Sequence, residues 1–237
     1  MNDDDVLLLE NMDEEHWYGK NRNSLLHKLV VKYVNLEQNI LEIGCGTGTI
    51  LNSLRMSGYN VTGLEPTLSG FKACSEKQLD VHNLYLEQYL PKYKFDAVLL
   101  FDVLEHIENH SAALKYIHMN LLAENGVVII AVPSSPALWS QVDEDVFHFR
   151  RYTFRLMKEL LNKSNFEITY WRRWVTVMYP LVFFHRKFVN SGFKNENQKP
   201  NFLANFILTL ILKCENHINL KFLPSVSMMF VAKQKIN

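Results

Sequence analysis

Residues 41–48 read Leu41-Glu42-Ile43-Gly44-Cys45-Gly46-Thr47-Gly48, and what this stretch joins decides the fold. Upstream, Asn39 to Ile43 is an apolar run of strand length. Downstream, Ile50, Leu51 and Leu54 recur at helical spacing as far as Gly58, a helix stop. A strand, a glycine turn and a helix let a backbone approach a ligand without Cβ clashes. The alternation continues outward from there. Strands are predicted at Asn60–Leu64, 82–86, Phe95–Phe101, Gly126–Val132 and Glu167–Trp171. Helices are predicted over 22–34, 67–77, 103–122 (Ser111 as an N-cap within it) and Thr153–Asn162. Such alternation predicts an α/β fold, a Rossmann-like, doubly wound and mostly parallel sheet with helices on both faces. After Trp171 the chain changes character. An aromatic and aliphatic stretch runs from Val175 to Val189, and a polar loop from Gly192 to Pro200. An apolar helix over Phe202–Ile218 and a last strand over Ser225–Ala232 follow. That strand needs a sheet to join, so residues 1–237 read as one domain, with a core at about 22–171 and a C-terminal part at about 172–237.

Composition narrows the classes. At 237 residues and 48% hydrophobic, the chain can bury a full core. Lys+Arg 25 against Asp+Glu 25 argues against a nucleic-acid partner, which calls for a basic excess. Cys45, Cys74 and Cys214 form no CxxC pair, so neither a disulfide framework nor a cysteine zinc site is indicated. The first residues are acidic where a signal peptide is basic, and the first five, to Asp5, read as frayed. The longest apolar candidate, Phe202 to Leu212, is too short to span a bilayer. A cytoplasmic location is the expectation.

The glycines fall at 44, 46 and 48, whereas a dinucleotide turn of the form G-x-G-x-x-G would need glycine where Thr49 stands. Glu42, two residues before the first glycine, would repel a pyrophosphate. It favours a ligand carrying positive charge, such as the ammonium and sulfonium of S-adenosylmethionine. Glu65 ends the second strand, placed to accept from both ribose hydroxyls of either cofactor.

Three stretches then carry a resemblance. Residues 41–48 resemble the first motif of class I S-adenosylmethionine-dependent methyltransferases. Val61-Thr62-Gly63-Leu64-Glu65 is similar to their second motif, and Phe95 to Ile107 to their fourth-strand motif. The resemblance implies a seven-stranded sheet with an antiparallel last strand. It also implies roles. Glu42 would take the methionine amino group; Gly44, Cys45, Gly46 and Gly48 would line the cofactor; Glu65 would hold the ribose, with Pro66 beside it. Glu87 and Gln88 would lie beside the adenine, although this stretch departs from the family's usual pattern there. Phe101 and Asp102 would face the methionine moiety. His16-Trp17-Tyr18 would fold over the pocket, bringing Tyr18 and Arg22 to the carboxylate end of the cofactor; otherwise the aromatics only staple the first helix to the core. The stretch Leu138-Trp139-Ser140, Asp143 and His148 to Thr153 is similar to a subgroup acting on small molecules, glycans or lipids, like the ubiquinone-biosynthesis O-methyltransferases.

Asp102 to His106 allows three readings. Asp102 with Glu105 makes a capping box at a helix start. His106, or His148 further on, makes a general base for an attacking hydroxyl. Asp102, Glu105, His106 and His148 together make a divalent-metal set. Trp139, Arg150, Arg151 and Tyr152 are candidate substrate residues. With Arg155, Arg172 and Arg173 they suggest an anionic substrate group, unless the arginines pair with Asp143, Glu144 and Asp145. The apolar residues of 175–218 suit a lid, a homodimer contact or a peripheral membrane contact, beside plain core packing. The activity expected is methyl transfer to an O or N atom of a small molecule, sugar or lipid precursor, anionic or amphiphilic ones included, leaving S-adenosylhomocysteine. A non-catalytic cofactor-binding partner subunit and an NAD-dependent oxidoreductase are the alternatives.

Overall fold

The computed structural model describes residues 16–189, 192–193 and 200–235. The frayed start expected up to Asp5 lies outside them, as does most of the polar loop expected over 192–200. Seven strands form one sheet: β1 (Asn39–Ile43), β2 (Asn60–Leu64), β3 (Val81–His82), β4 (Phe95–Phe101), β5 (Leu122–Pro133), β6 (Phe166–Trp174) and β7 (Ser227–Gln234). Their order is β3-β2-β1-β4-β5-β7-β6. The first five pair in parallel, and β7 slots antiparallel between β5 and β6. The seven-stranded sheet with its antiparallel last strand is therefore as expected. The chain order turns back between β1 and β4, and ligands bind beyond the carboxyl ends of the strands at such a reversal.

Alternation along the strands divides the core in two. Ile40, Val61, Leu99, Ile129 and Val231 face one side. There they pack against Leu26 and Val30 of α1 (Trp17–Tyr33) and Leu51 and Leu54 of α2 (Thr49–Met56). Leu41, Leu64, Val98, Leu100, Ile130 and Phe230 face the other. Opposite them stand Leu114 of α4 (His110–Tyr116) and Leu160 and Leu161 of α6 (Phe154–Lys163). α3 (Leu68–Glu76) follows β2, and α5 (Gln141–Asp145) lies in the loop after β5. Two further helices, α7 (Tyr179–Phe188) and α8 (Phe202–Glu215), precede β7.

Some local expectations change. The strand expected over 82–86 is only Val81–His82. The helix expected over 103–122 breaks up: Leu104–His106 is a single 3-10 turn, α4 is capped by Asn109 rather than Ser111, and Ile117–Leu121 is a wider turn. The Asn109 side chain accepts from the Ala112 N–H at 3.0 Å and so fills the capping role expected of Ser111. Asp102 is no helix cap. Its φ of 55° lies in the left-handed region, and its carboxylate is engaged by Arg22.

Candidate active site

The strand ends and the loops above them enclose a cavity of about 1770 Å3. Its floor is the glycine turn. Gly44, Gly46 and Gly48 have φ of 66°, 56° and 79°, the region that disfavours side chains. The turn is pinned by Gly44 and Cys45 N–H groups donating to the Leu64 carbonyl at 2.7 and 3.1 Å. Gly44, Cys45 and Gly46 line the cavity, as does the buried carboxylate of Glu42. Gly48 does not; a Cβ there would run into Leu79 and Cys74. At Gly46 a Cβ would meet no atom within 4 Å, so the turn leaves an open cradle. A buried carboxylate beside an open backbone cradle fits a cationic adenosyl ligand.

Glu65 stands beside the turn, at the end of β2. Its carboxylate does not line the cavity; it accepts from the Gly46 N–H at 2.8 Å and from the Thr67 N–H and hydroxyl at 2.9 and 2.6 Å. It braces the turn, and Oε2, with one bond accepted, keeps a lone pair for a ribose hydroxyl. Pro66 also lies off the cavity wall. Glu87 and Gln88 sit exposed on a 3-10 turn away from it, Gln88 accepting from the Tyr85 N–H at 3.0 Å.

The start of α1 covers the turn as expected. Trp17, Tyr18 and Arg22 all line the cavity. Tyr18 also packs on Trp174, ring centroids 5.1 Å apart, which staples the first helix to the core. Burial, with Asp102 nearby, pushes its phenol pKa well up. The Arg22 guanidinium donates from Nε to Asp102 Oδ2 at 2.7 Å, tying α1 to the end of β4. Phe101 and Asp102 are both on the wall.

Opposite stands an ionisable cluster. Glu105, His106 and His148 offer ligand atoms all within 4.8 Å of one another. The two rings are 4.6 Å apart, and His148 Nε2 is 4.0 Å from Glu105 Oε1. Glu105 is fully buried, and neither of its oxygens has a hydrogen-bond partner. Burial first, and Asp102 second, push its pKa well above the usual carboxyl range. Desolvation and the neighbouring His148 push His106 down to about 4, so this ring is neutral near pH 7. Asp102 is absent from this group, because its backbone turns it toward Arg22.

The sequence reading underrated Asp143. It is fully buried and accepts from His148 Nδ1 at 2.9 Å and Arg151 Nε at 2.7 Å. Arg186 of α7 approaches its other oxygen at 3.5 Å. Burial raises the Asp143 carboxyl pKa, but the His148 hydrogen bond and Arg151 outweigh that and hold it below its ordinary value. An ionised Asp143 fixes the proton on His148 Nδ1 and leaves Nε2 as the acceptor. Only the spacing of Asp143 to His148 and Arg151 within one loop hinted at this. Arg186 had no sequence signal, because α7 is far away along the chain.

The other candidates separate. Of the four substrate residues only Arg151 lines the cavity. Arg150 donates to the Ile107 and Glu108 carbonyls at 2.6 and 2.7 Å, stitching two loops together. Tyr152 is fully buried, its hydroxyl donating to the Leu104 carbonyl at 3.0 Å. Trp139 is half-buried outside the cavity, its Nε1 facing Glu144 at 3.4 Å. Arg155 pairs with Glu159, while Arg172 and Arg173 bond C-terminal carbonyls such as those of Asn216 and Lys221. The arginines are thus scattered, and only Arg151 takes the expected partner Asp143.

A sheet of this order, with a cavity over a glycine turn walled by a strand-end carboxylate, defines a class I S-adenosylmethionine-dependent methyltransferase fold. Residues 16–171, more than half of the chain, match the family described as methyltransferase domain, and the chain belongs to that family. It is 29% identical over 98 residues to the ubiquinone biosynthesis O-methyltransferase of Rhodopseudomonas palustris, a match covering 39% of this chain and 38% of that protein. The chain thus spans well under half the length of that curated relative. A methyltransferase structure from Thermotoga maritima superposes with a TM-score of 0.61 at 17% identity, over 92% of this chain and 93% of that one. One from Archaeoglobus fulgidus gives 0.58 at 16%, over 90% and 94%. At such identities these structures show the fold alone.

Proposed function

We propose that this protein moves the methyl group of S-adenosylmethionine to a hydroxyl oxygen of a small amphiphilic molecule. One observation carries the reading: a single cavity joins the Glu42 and glycine wall to His148, whose ring is oriented by a buried carboxylate. When bound, the cofactor supplies a methyl group already activated by its sulfonium charge. Positioning and exclusion of water then provide much of the rate. Glu42 and the turn hold the cationic end, while Tyr18 and Trp17 cover it. His148 Nε2 takes the hydroxyl proton as oxygen bonds to the methyl carbon and the carbon–sulfur bond breaks. Asp143 stabilises the imidazolium that forms. The products are a methyl ether and S-adenosylhomocysteine. The Rhodopseudomonas relative is an O-methyltransferase, which supports oxygen over nitrogen as acceptor. Arg151 and Arg186, both on the cavity wall, are the groups placed to meet an anionic group on the acceptor.

A second reading has its own observation. The unpartnered oxygens of Glu105 beside the His106 and His148 rings suit a divalent cation. There it would lower the pKa of an acceptor hydroxyl, and Asp143 would hold the His148 ring. Turnover measured on a panel of catechols, phenols and amines, with and without EDTA, tests both. Methyl ethers formed equally with EDTA support the histidine base. Loss with EDTA, restored by Mg2+ or Zn2+, supports the cation. Methylated amines alone would overturn the oxygen assignment.

A further inference from the structure

α7 and α8 border the cavity, through Leu181 and Val182 on one and Leu208 on the other. Much of their remaining surface is apolar and open. On α7, Leu181, Phe184 and Phe188 stand at helical spacing and are 62%, 58% and 78% exposed. α7 buries no residue at all. On α8, Phe202, Leu203, Phe206, Ile207 and Leu210 form a stripe, from 86% exposed at Phe202 to 45% at Leu210. Apolar exposure on this scale, on two helices that border one cavity, marks a contact surface.

Charge on these helices decides which contact. α7 ends in His185, Arg186 and Lys187 and has no acid. α8 carries Lys213, and its one acid, Glu215, is buried, accepting from the Thr176 and Val177 N–H groups at 2.9 and 3.2 Å. Arg186 turns inward to Asp143, which leaves Lys187 and Lys213, with Lys221 close in sequence, as the exposed cations. Phenylalanines for burial with lysines, and no exposed carboxylate among the described residues of the two helices, complement an anionic lipid surface. A second copy of this face would set lysines against lysines instead.

We propose that α7 and α8 dock the protein on the headgroup surface of an anionic phospholipid bilayer, beside the mouth of the cavity. A membrane-held acceptor would then reach the site without crossing water; that consequence rests on the methyl-transfer reading, while the docking does not.

Co-sedimentation with vesicles of phosphatidylglycerol mixed with phosphatidylcholine, and of phosphatidylcholine alone, tests the docking. The protein is expected to sediment with the anionic vesicles and to be released by high salt. The double change Lys187→Glu and Lys213→Glu, at exposed positions, should weaken that binding about tenfold or more. Phe184→Asp with Phe206→Asp should abolish it while leaving the melting temperature and S-adenosylhomocysteine affinity unchanged. Protein remaining in the supernatant with anionic vesicles would overturn the proposal. So would charge-reversed protein sedimenting undiminished, or light scattering that shows a dimer dissociated by the phenylalanine changes.

Discussion

Glycines 46 and 48 share a backbone conformation but not surroundings, and the difference is testable. A Cβ at Gly46 enters the open cradle, so Gly46→Ala should cost about 1–2 kcal/mol of stability through its left-handed φ. It should also weaken S-adenosylmethionine binding at least about tenfold, because the methyl occupies ligand space. Gly48→Ala drives a Cβ into Leu79 and Cys74, so its loss should fall mainly on stability. Urea unfolding and calorimetric titration of both variants separate the two effects. At His148, replacement by Ala should lower kcat roughly 100-fold or more while leaving cofactor affinity intact. Single-turnover kinetics beside titration read both quantities. Glu42 and the glycine spacing were legible in the sequence because strand, turn and helix are local. What no pattern shows is that the Glu65 carboxylate also accepts from the Gly46 and Thr67 N–H groups.

Tyr152 shows at the scale of elements how a sequence signal can mislead. Its stretch carries a family resemblance, and the structure uses it as a peg. The hydroxyl reaches the Leu104 carbonyl of the turn after β4 and lies 2.9 Å from His110 Nδ1 on α4. Phe149 N–H bonds the Glu105 carbonyl at 2.8 Å, and Arg150 adds two more carbonyls to the same seam. The loop after β5 is thereby laced to the loop after β4, which holds His148 against Glu105. Tyr152→Phe removes one buried hydroxyl and should cost about 1 kcal/mol. KM for the acceptor should not move, as thermal unfolding and steady-state kinetics can check. Strands β1, β2, β4 and β5 were legible from their apolar runs. The region after β4 was not, because the left-handed Asp102 and a single 3-10 turn interrupt the helical period.

Across the whole molecule, the reversal of strand order between β1 and β4 places every contributor at one end of the sheet. The glycine turn, the start of α1, the loop after β4 and the long loop after β5 meet there although they are far apart in sequence. Arg186 escaped the sequence reading for that reason: its pairing with Asp143 spans 43 residues and exists only once α7 folds back over α5. Charge balance told against nucleic acid at the start, and no helix among the described residues is long and apolar enough to cross a membrane. What remains central is the cofactor. Calorimetric titration of the purified protein with S-adenosylmethionine, S-adenosylhomocysteine and NAD tests it most directly. The account predicts micromolar binding of both adenosyl ligands, about −8 kcal/mol, lost in Glu42→Gln, and no heat with NAD. Binding of NAD, or of neither adenosyl ligand, would contradict it.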